Sequence, residues 1–315
     1  MKECLVSNPY KADVLLLVDV HNLSFKSYYA PVKNEMLDKS GYPTYHYMVA
    51  LSKIASVVEY ISFIGKVCIV LSSDEYPTKK KKLFPEYKTG RNNVLKEYNV
   101  RTLDGVEQSV TINPVRDIKK LLNLIPHCTI SIPSKDEETD DIIATATKLF
   151  KDKICYILSN DKDLWQLKSS RVRVIYKEYP AIALLTKEVL RTKFFGIDDP
   201  RLIPLVKTLT GDSSDRLKGV YRFPRKVIPS LTYDMFKGKP MRALTKLKGL
   251  VTKSVKYKIE SDTKRLVQLY KIIKLNKNLK VSLSFHKGNL KKYLKFMHNR
   301  GLKDTRILEL WIRDF

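Results

Sequence analysis

The sequence predicts an α/β protein with a mostly parallel central sheet flanked by helices, followed by an α-rich basic region. Three observations lead to this prediction. Short runs of Val, Ile and Leu recur along the first two thirds of the chain. Amphipathic stretches of helical length separate these runs. After residue 215 the strand-like runs become rare, and helical patterns rich in Lys replace them.

Each element has its own signal. Five apolar runs predict buried parallel strands, because aliphatic residues fill both of their faces; these runs are 13–19, 66–72, 127–132, 154–159 and 171–176. Helical periodicity predicts helices at 44–63, 114–125, 139–150, 260–275, 288–298 and 303–312. Pro114 suits a first helical turn. Strands that alternate with helices in this way are typical of a parallel sheet covered on both faces.

The segment 75–113 does not fit this alternation. It is polar, rich in Lys and Asn, and has little hydrophobic periodicity. A long insertion of this kind in a compact domain is usually functional or disordered. We therefore predict a core at 1–215 that contains this insertion, and a second region at 216–315.

The charge of the chain indicates its partner. The 315 residues include 59 Lys+Arg and 33 Asp+Glu, a net charge of +26. Residues 216–315 contribute 27 of the basic and 6 of the acidic residues, a net charge of +21. Such a region predicts binding to nucleic acid. An anionic membrane is the alternative, but we find no lipid-binding amphipathic helix and no lipidation motif.

Composition predicts a soluble, monomeric protein of the cytoplasm. The apolar run that ends at Asp19 is too short to span a bilayer, and it does not resemble a signal peptide. The four cysteines are scattered, and three lie in strand-like runs, so we expect reduced, buried thiols. Without a CxxC pair, a zinc site is not expected. The cysteines are Cys4, Cys68, Cys128 and Cys155.

Nine carboxylates are grouped in short clusters, most of which come directly after a predicted strand. They are Asp19, Asp74, Glu138, Asp140, Asp141, Asp161, Asp163, Asp212 and Asp215. Ligand sites in open α/β sheets form beyond the carboxyl ends of the strands, so we expect these acids to meet at one edge. Mg²⁺ binds carboxylates, and two such ions can catalyse phosphodiester hydrolysis. Mn²⁺ suits the same oxygen ligands.

Each cluster alone has a simpler explanation. Asp19 at a strand end could cap the next helix. Acids at 138–141 would favour a helix N-terminus through its dipole. Asp212 and Asp215 could pair with Arg216 and Lys218. The combination of all the clusters on one edge favours the metal site.

The order of these motifs resembles the 5′-3′ exonuclease and flap endonuclease family. The matching segments are VDVHN at Asp19, SSDEY at Asp74, PEYKTGR at 85–91, EETDD at 137–141, SNDKDLWQL at 159–167 and TGDSSD at 210–215. They span residues 13–226 in the family's order. The resemblance implies a PIN/FEN-like fold, and chain length is most similar to phage members, whose location would be the host cytoplasm.

The resemblance also implies roles. Asp19, Asp74, Glu138 and Asp140 would hold one metal ion, Asp161, Asp163, Asp212 and Asp215 a second, with Asp141 between them. Lys88 and Arg91 would reach the scissile phosphate. Tyr87 would stack on a base, as an aromatic beside Lys and Arg does in single-strand grooves. The insertion would add nucleic-acid contacts through Lys79, Lys80, Lys81 and Lys82.

The chain departs from the family after Asp215. Members carry a Gly-rich helix-hairpin-helix that binds the duplex backbone, often with a monovalent cation. Here only Gly219 remains, and Phe223-Pro224 stands where the hairpin turn is expected. We therefore expect a degenerate hairpin without that cation. Side-chain contacts would replace it, from Lys218, Arg222, Arg225 and Lys226.

The sequence thus predicts a Mg²⁺-dependent 5′-nuclease that removes 5′ flaps, nicked ends or RNA primers during DNA replication. Its partners would be flap, nicked or forked DNA, RNA/DNA hybrids and replication proteins. Two alternatives stay open. A PIN-like ribonuclease would share the acidic pocket, and an inactive nucleic-acid-binding protein would share the basic surface.

Overall fold

A computed structural model describes residues 5–30, 36–73, 79–89, 96–101, 105–125, 128–132, 136–178, 181–286 and 288–302. The strands are β1 (Val14–Asp19), β2 (Val67–Ser72), β3 (Lys96–Arg101), β4 (Glu107–Ile112), β5 (Cys128–Ile132), β6 (Ile154–Leu158), β7 (Val172–Lys177), β8 (Ala183–Leu184) and β9 (Ser282–His286). The five predicted strands are confirmed to within one residue at each end as β1, β2, β5, β6 and β7.

Five of the six predicted helices are confirmed, and the structure adds others that were not predicted. They are α1 (Val20–Tyr28), α2 (Tyr45–Ile61), α3 (Lys79–Leu83), α4 (Pro114–Leu122), α5 (Thr139–Leu149), α6 (Lys187–Lys193), α7 (Ile203–Thr210), α8 (Tyr233–Phe236), α9 (Pro240–Leu247), α10 (Lys253–Ser261), α11 (Thr263–Ile273) and α12 (Leu290–Asn299). Pro114 is the first residue of α4, and Asn113 caps that helix. The helix predicted at 303–312 lies outside the described residues.

The central sheet has the order β8-β7-β6-β1-β2-β5-β9. Its five inner strands run parallel, and the two edge strands are antiparallel to their neighbours. β1 lies in the middle, so that Leu16 pairs with Ile69 of β2 on one side and with Tyr156 of β6 on the other. The predicted mostly parallel sheet is confirmed.

Two hydrophobic cores cover the two faces of this sheet. On one face Leu15 and Leu17 of β1 belong to a core that contains residues of α5, α7 and α11. On the other face Leu16 belongs to a core formed with α2, α4 and α12. The stretch 45–64 is long and apolar enough for a membrane span. Its Leu51 and Ile54 are buried in this second core, as expected for a core helix.

The strands differ from the sequence prediction in three places, of which the two-residue edge strand β8 is the shortest. Within the insertion, β3 and β4 form an antiparallel hairpin in which Lys96 pairs with Ile112. This hairpin was not predicted because its sequence is polar. Toward the C-terminal end, β9 pairs with β5, so that the predicted second region contributes one strand to the central sheet as well as helices. This strand was missed because its sequence SLSFH has no continuous apolar run and comes after a segment rich in Lys and Asn.

Candidate active site

The acidic site lies where the strand order reverses. The chain leaves β1 toward β2 and β5, and later returns to the other side of β1 as β6. The crevice at the carboxyl ends of two such strands is the usual ligand site of an open α/β sheet. Asp19 is the last residue of β1, and Asp161 and Asp163 come just after β6. The fold thus brings these acids to one edge, as predicted.

Ser159 connects the ends of β1 and β6. Its hydroxyl donates to Oδ2 of Asp19 at 2.8 Å and accepts from the backbone N–H of Asp161 at 3.1 Å. Oδ1 of Asp19 accepts from the N–H of Asn22, so that Asp19 also caps α1. The helix cap and the metal site, which the sequence presented as alternatives, are therefore compatible roles for one side chain.

Glu138 is buried at the start of α5 among three donors. Nζ of Lys80 lies 2.7 Å from Oε2, and Nζ of Lys88 lies 2.8 Å from Oε1. The hydroxyl of Tyr87 donates to the same carboxylate at 3.0 Å. Burial alone would raise the pKa of Glu138, but the charges and hydrogen bonds of the two lysines lower this pKa to about 2. The carboxylate therefore stays ionised.

The two aspartates at positions 140 and 141 have different surroundings. Burial, with repulsion from Asp161 and Asp19, raises the pKa of Asp140 well above its usual value. This repulsion indicates that carboxylates from β1, α5 and the loop after β6 share one region. Asp141 accepts from the N–H of Asn276 at 2.8 Å and lies 3.0 Å from Nζ of Lys80. Both of its oxygens already have protein partners.

A second group of acids lies beside the first. One carboxylate oxygen each from Asp163, Asp212 and Asp215 fall within 4.8 Å of one another. Burial raises the pKa of Asp163 to about 6, in spite of the positive charge of Lys207. Lys207 forms an ion pair with Asp163, and its Nζ lies 2.6 Å from Oδ2 of Asp212. Closely spaced carboxylates of this kind need cations to offset their repulsion.

The donor set fits divalent metal ions. The ligands available at this edge are carboxylate oxygens, which hard cations such as Mg²⁺ and Mn²⁺ prefer. Asp163, Asp212 and Asp215 would hold one ion. Asp19, Glu138, Asp140 and Asp161 surround the neighbouring region. Asp74, which was predicted as a further ligand, and Arg91 lie outside the described residues.

Tyr87 does not have the predicted arrangement. The prediction that it presents its ring to a base is wrong for this structure, because only 4% of the residue is exposed. Its ring packs in a small core with Leu217 and Leu269. The sequence suggested stacking because Tyr87 lies between charged residues, but the α11 residues that bury it are far away in sequence.

The four lysines of α3 have different surroundings. Lys79, Lys81 and Lys82 are exposed, and Lys79 also forms an ion pair with Glu137. Lys80 was predicted to contact nucleic acid from the surface, but its side chain is mostly buried in the protein. It contacts Glu138 and Asp141, and their charges raise its pKa although burial acts in the opposite direction. Its partners come from α5, a contact that local sequence does not reveal.

The predicted basic surface lies beside the second acid group. Lys218, Arg222, Arg225 and Lys226 are all exposed. Two clefts run along this surface. One of about 670 Å³ is lined by Lys218, Tyr221, Arg222 and Lys258. The other, of about 1060 Å³, extends from Asp161 and Asp212 to Lys193, Phe195 and Arg225. Positive side chains thus adjoin the carboxylates.

The turn at Gly219 is closely packed. A Cβ atom there would lie 2.3 Å from the backbone N of Gly211, so only glycine fits. The carbonyls of Lys218 and Gly219 accept hydrogen bonds from the guanidinium of Arg265. A protein side chain therefore already brings positive charge to this turn. Residues Arg225–Ser230 form a 3₁₀-helix in the expected hairpin region.

Sequence reasoning did not identify Lys207, Ser159 or Asn22. One signal for Lys207 was present, since it is the single charged residue of the apolar helix α7, IPLVKTLT. A buried lysine needs an acidic partner, and Asp212 lies about one turn further along the chain. Ser159 and Asn22 carry no comparable signal.

Carboxylates grouped at the edge of a parallel sheet, beside a basic surface, define a phosphodiester hydrolase of the metal-dependent class. The family model for the 5′-3′ exonuclease N-terminal resolvase-like domain matches residues 14–195, which is more than half of the chain. This chain therefore belongs to the 5′-3′ exonuclease family. The family predicted from the sequence motifs is confirmed.

Relatives and solved structures agree with this assignment. The 5′-3′ exonuclease of Mycoplasmopsis pulmonis (strain UAB CTIP) is 26% identical over 275 residues, 87% of this chain and 84% of that protein. The T5 D15 protein, co-crystallised with metal ions, has a similar fold with a TM-score of 0.58 at 16% identity, covering 94% of this chain and 99% of that one. Flap endonuclease-1 from Methanococcus jannaschii has a TM-score of 0.55 at 14% identity, covering 96% and 94%.

Proposed function

We propose that this 5′-3′ exonuclease family member is a Mg²⁺-dependent 5′-nuclease that acts on DNA with 5′ flaps, nicks or forks and on RNA/DNA hybrids. The observation that supports it most is the meeting of carboxylates from β1, α5, the loop after β6 and the loop 212–215. A basic surface adjoins them. Such a site suits a polyanionic substrate, because fixed positive charge attracts phosphates while the acids hold metal ions.

The protein's own groups have distinct tasks in this proposal. Asp163, Asp212 and Asp215 would hold one ion, and Asp19, Glu138, Asp140 and Asp161 would provide ligands for another. Bound divalent ions would supply an activated water and offset negative charge on the phosphate. Lys80 and Lys207 keep the carboxylates together by offsetting their repulsion.

Lys88 connects the two acid groups. Its Nζ contacts Glu138, and its N–H donates to the carbonyl of Asp215 at 3.1 Å. The backbone at Lys88 has a φ of +52°, a conformation that non-glycine residues rarely adopt. This strained position between the two acid groups supports a role in contacting the phosphate.

Relatives support the choice of substrate. One similar structure is the T5 D15 flap endonuclease in a pseudo-enzyme-product complex with DNA and metal ions, with a TM-score of 0.58 at 14% identity. Another, with a TM-score of 0.51 at 16% identity, is the catalytic core of Rad2 in complex with DNA substrate. We extend DNA binding to this chain because its clefts carry Lys and Arg beside the acids.

One experiment separates this function from its alternatives. Three labelled substrates, a 5′-flap DNA, an RNA/DNA hybrid and a single-stranded RNA, are incubated with the protein in Mg²⁺, Mn²⁺ or EDTA. We expect cleavage of the flap and the hybrid in Mg²⁺ and none in EDTA. Cleavage of the single-stranded RNA alone would favour a PIN-like ribonuclease. Binding without cleavage would indicate an inactive nucleic-acid-binding protein.

A further inference from the structure

Phe195 has an unusual backbone conformation beside the larger cleft. Its φ is +52°, and Gly196 after it has a φ of +91°. A bulky residue in the left-handed region is a true outlier, and such residues persist where the surrounding structure fixes them. Here two buried neighbours do so. Phe194 packs against Trp165, and Ile197 is buried in the same core.

This turn directs the ring of Phe195 away from the core. Thirty-six per cent of the residue is exposed, whereas only 4% of Phe194 is exposed. The N–H of Gly196 donates to the carbonyl of Arg191, which closes the turn at the end of α6. A Cβ atom at Gly196 would lie 2.9 Å from the side chain of Pro229, so Pro229 packs closely against this turn. The position of the ring is therefore fixed by the fold.

Arg225 fixes the ring further. Its guanidinium carbon lies 4.8 Å from the ring centroid, a cation–π contact. Phe195, Arg225 and Lys193 line the same cleft of about 1060 Å³ as Asp161 and Asp212. The cleft thus combines an exposed aromatic, basic side chains and the acids of the proposed active site.

We propose that Phe195 is a stacking platform for one unpaired nucleobase of the bound strand. The inference rests on the proposed function. An aromatic ring beside basic groups is the combination by which proteins hold single strands, because every base has a face that can stack. Bases inside a duplex have both faces covered by neighbouring pairs, so an unpaired base is the ligand that fits. Arg225 holds the ring and adds charge for the backbone.

An alternative explanation is that Phe195 only contributes to packing. The exposed fraction argues against it, since burying this ring would stabilise the fold more than leaving it in the cleft. A residue selected only for this turn would be Gly or Asn, which adopt positive φ more easily. An aromatic side chain in this position therefore favours a ligand contact.

The test combines a substitution with base removal. Binding of a 5′-flap DNA is measured in EDTA for the wild type and for Phe195→Ala, Phe195→Leu and Phe195→Trp. The same measurements use flap substrates that each carry one abasic site near the junction. We expect Phe195→Ala and Phe195→Leu to weaken binding about tenfold, and Phe195→Trp to retain binding. One of the abasic positions should remove the base that stacks on Phe195. On that substrate the wild type should bind as weakly as Phe195→Ala binds the intact flap, and Phe195→Ala should bind it no more weakly than the intact flap.

Phe63→Ala is the matched control. Phe63 is 79% exposed and precedes β2, at the opposite edge of the sheet from the acids, so this variant should bind every substrate like the wild type. The stacking proposal would be overturned if Phe195→Ala weakened binding by the same factor on every abasic substrate, or if it did not weaken binding at all. In either case the proposed nuclease function would still stand. A wild type that does not bind flap DNA would overturn the proposed function as well.

Discussion

Nζ of Lys207 lies 2.6 Å from Oδ2 of Asp212, among the three carboxylates that would hold a metal ion. The same ammonium group also contacts Asp163. Lys80 and Lys88 have a similar relation to Glu138 in the neighbouring acid group. In both groups, lysines of the chain itself offset the repulsion between buried carboxylates.

Replacing Lys207 by Met should destabilise the protein without metal ions by about 3 kcal/mol, because Asp163 and Asp212 lose their buried cation. Added Mg²⁺ should then raise the melting temperature of the variant more than that of the wild type, since the metal replaces the lost charge. Thermal unfolding with increasing Mg²⁺ measures both effects. Equal metal-induced shifts in the two proteins would show that Lys207 and the metal do not share these carboxylates.

Lys88→Ala should lower the single-turnover rate of flap cleavage much more than it weakens binding, because its charge would stabilise the transition state. Arg91→Ala is expected to behave in the same way. Lys81→Ala, on the exposed face of α3, is the matched control and should affect affinity only. Single-turnover rates at several enzyme concentrations distinguish the two roles. If Lys88→Ala regains the full rate at saturation, Lys88 is part of the electrostatic surface.

Binding to duplex DNA should weaken steeply with salt. Each phosphate contact contributes a slope of about −0.9 in log K against log salt. The combined variant Lys218→Ala, Arg222→Ala should therefore flatten the slope by about 1 to 2. Deletion of the C-terminal region cannot serve as this test, because β9 belongs to the central sheet.

The control for this measurement is the double variant Lys11→Ala, Lys66→Ala. Both residues are exposed at the amino ends of β1 and β2, away from the acids. This variant has the same change of net charge. If its salt slope falls as much as that of the first variant, the effect reflects net charge, and Lys218 and Arg222 do not contact the duplex.

Acid should destabilise the protein through His46. Burial lowers the pKa of His46 to about 4, from an ordinary value of 6.5. Between these pH values the unfolded chain binds a proton that the folded protein does not bind, so stability falls as the pH falls. The loss from this group should reach about 3 kcal/mol. Urea unfolding across this range should show a smaller loss for His46→Gln, and equal losses would contradict the prediction.

Features that depend on local pattern could be predicted from the sequence. The inner strands, several of the helices that cover them and the acids after the strands were found, because periodicity and strand ends are local features. The edge strand β9 and the hairpin β3–β4 were missed, since both are polar and lack continuous apolar runs. The acids could be assigned to one edge because parallel strands share a direction.

The partners of the site could not be predicted in the same way. Lys80 contacts residues 58 and 61 positions away, and Tyr87 is covered by α11. Nothing in the sequence near them distinguishes Lys80 from Lys81. Their burial depends on tertiary packing, and burial decides whether a lysine neutralises an acid or faces a phosphate.

The most direct test of the metal-dependent site is the cleavage rate of Asp161→Asn on a 5′-flap DNA at saturating Mg²⁺, with binding measured in parallel. Asp152→Asn, whose side chain is 70% exposed, is the matched control. We expect Asp161→Asn to lose at least about 99% of the rate while it binds DNA as well as the wild type or more tightly, because it removes a metal ligand and a negative charge. Asp152→Asn should cleave normally. If Asp161→Asn kept more than a few per cent of the wild-type rate, the assignment of these carboxylates to catalytic metal ions would be wrong.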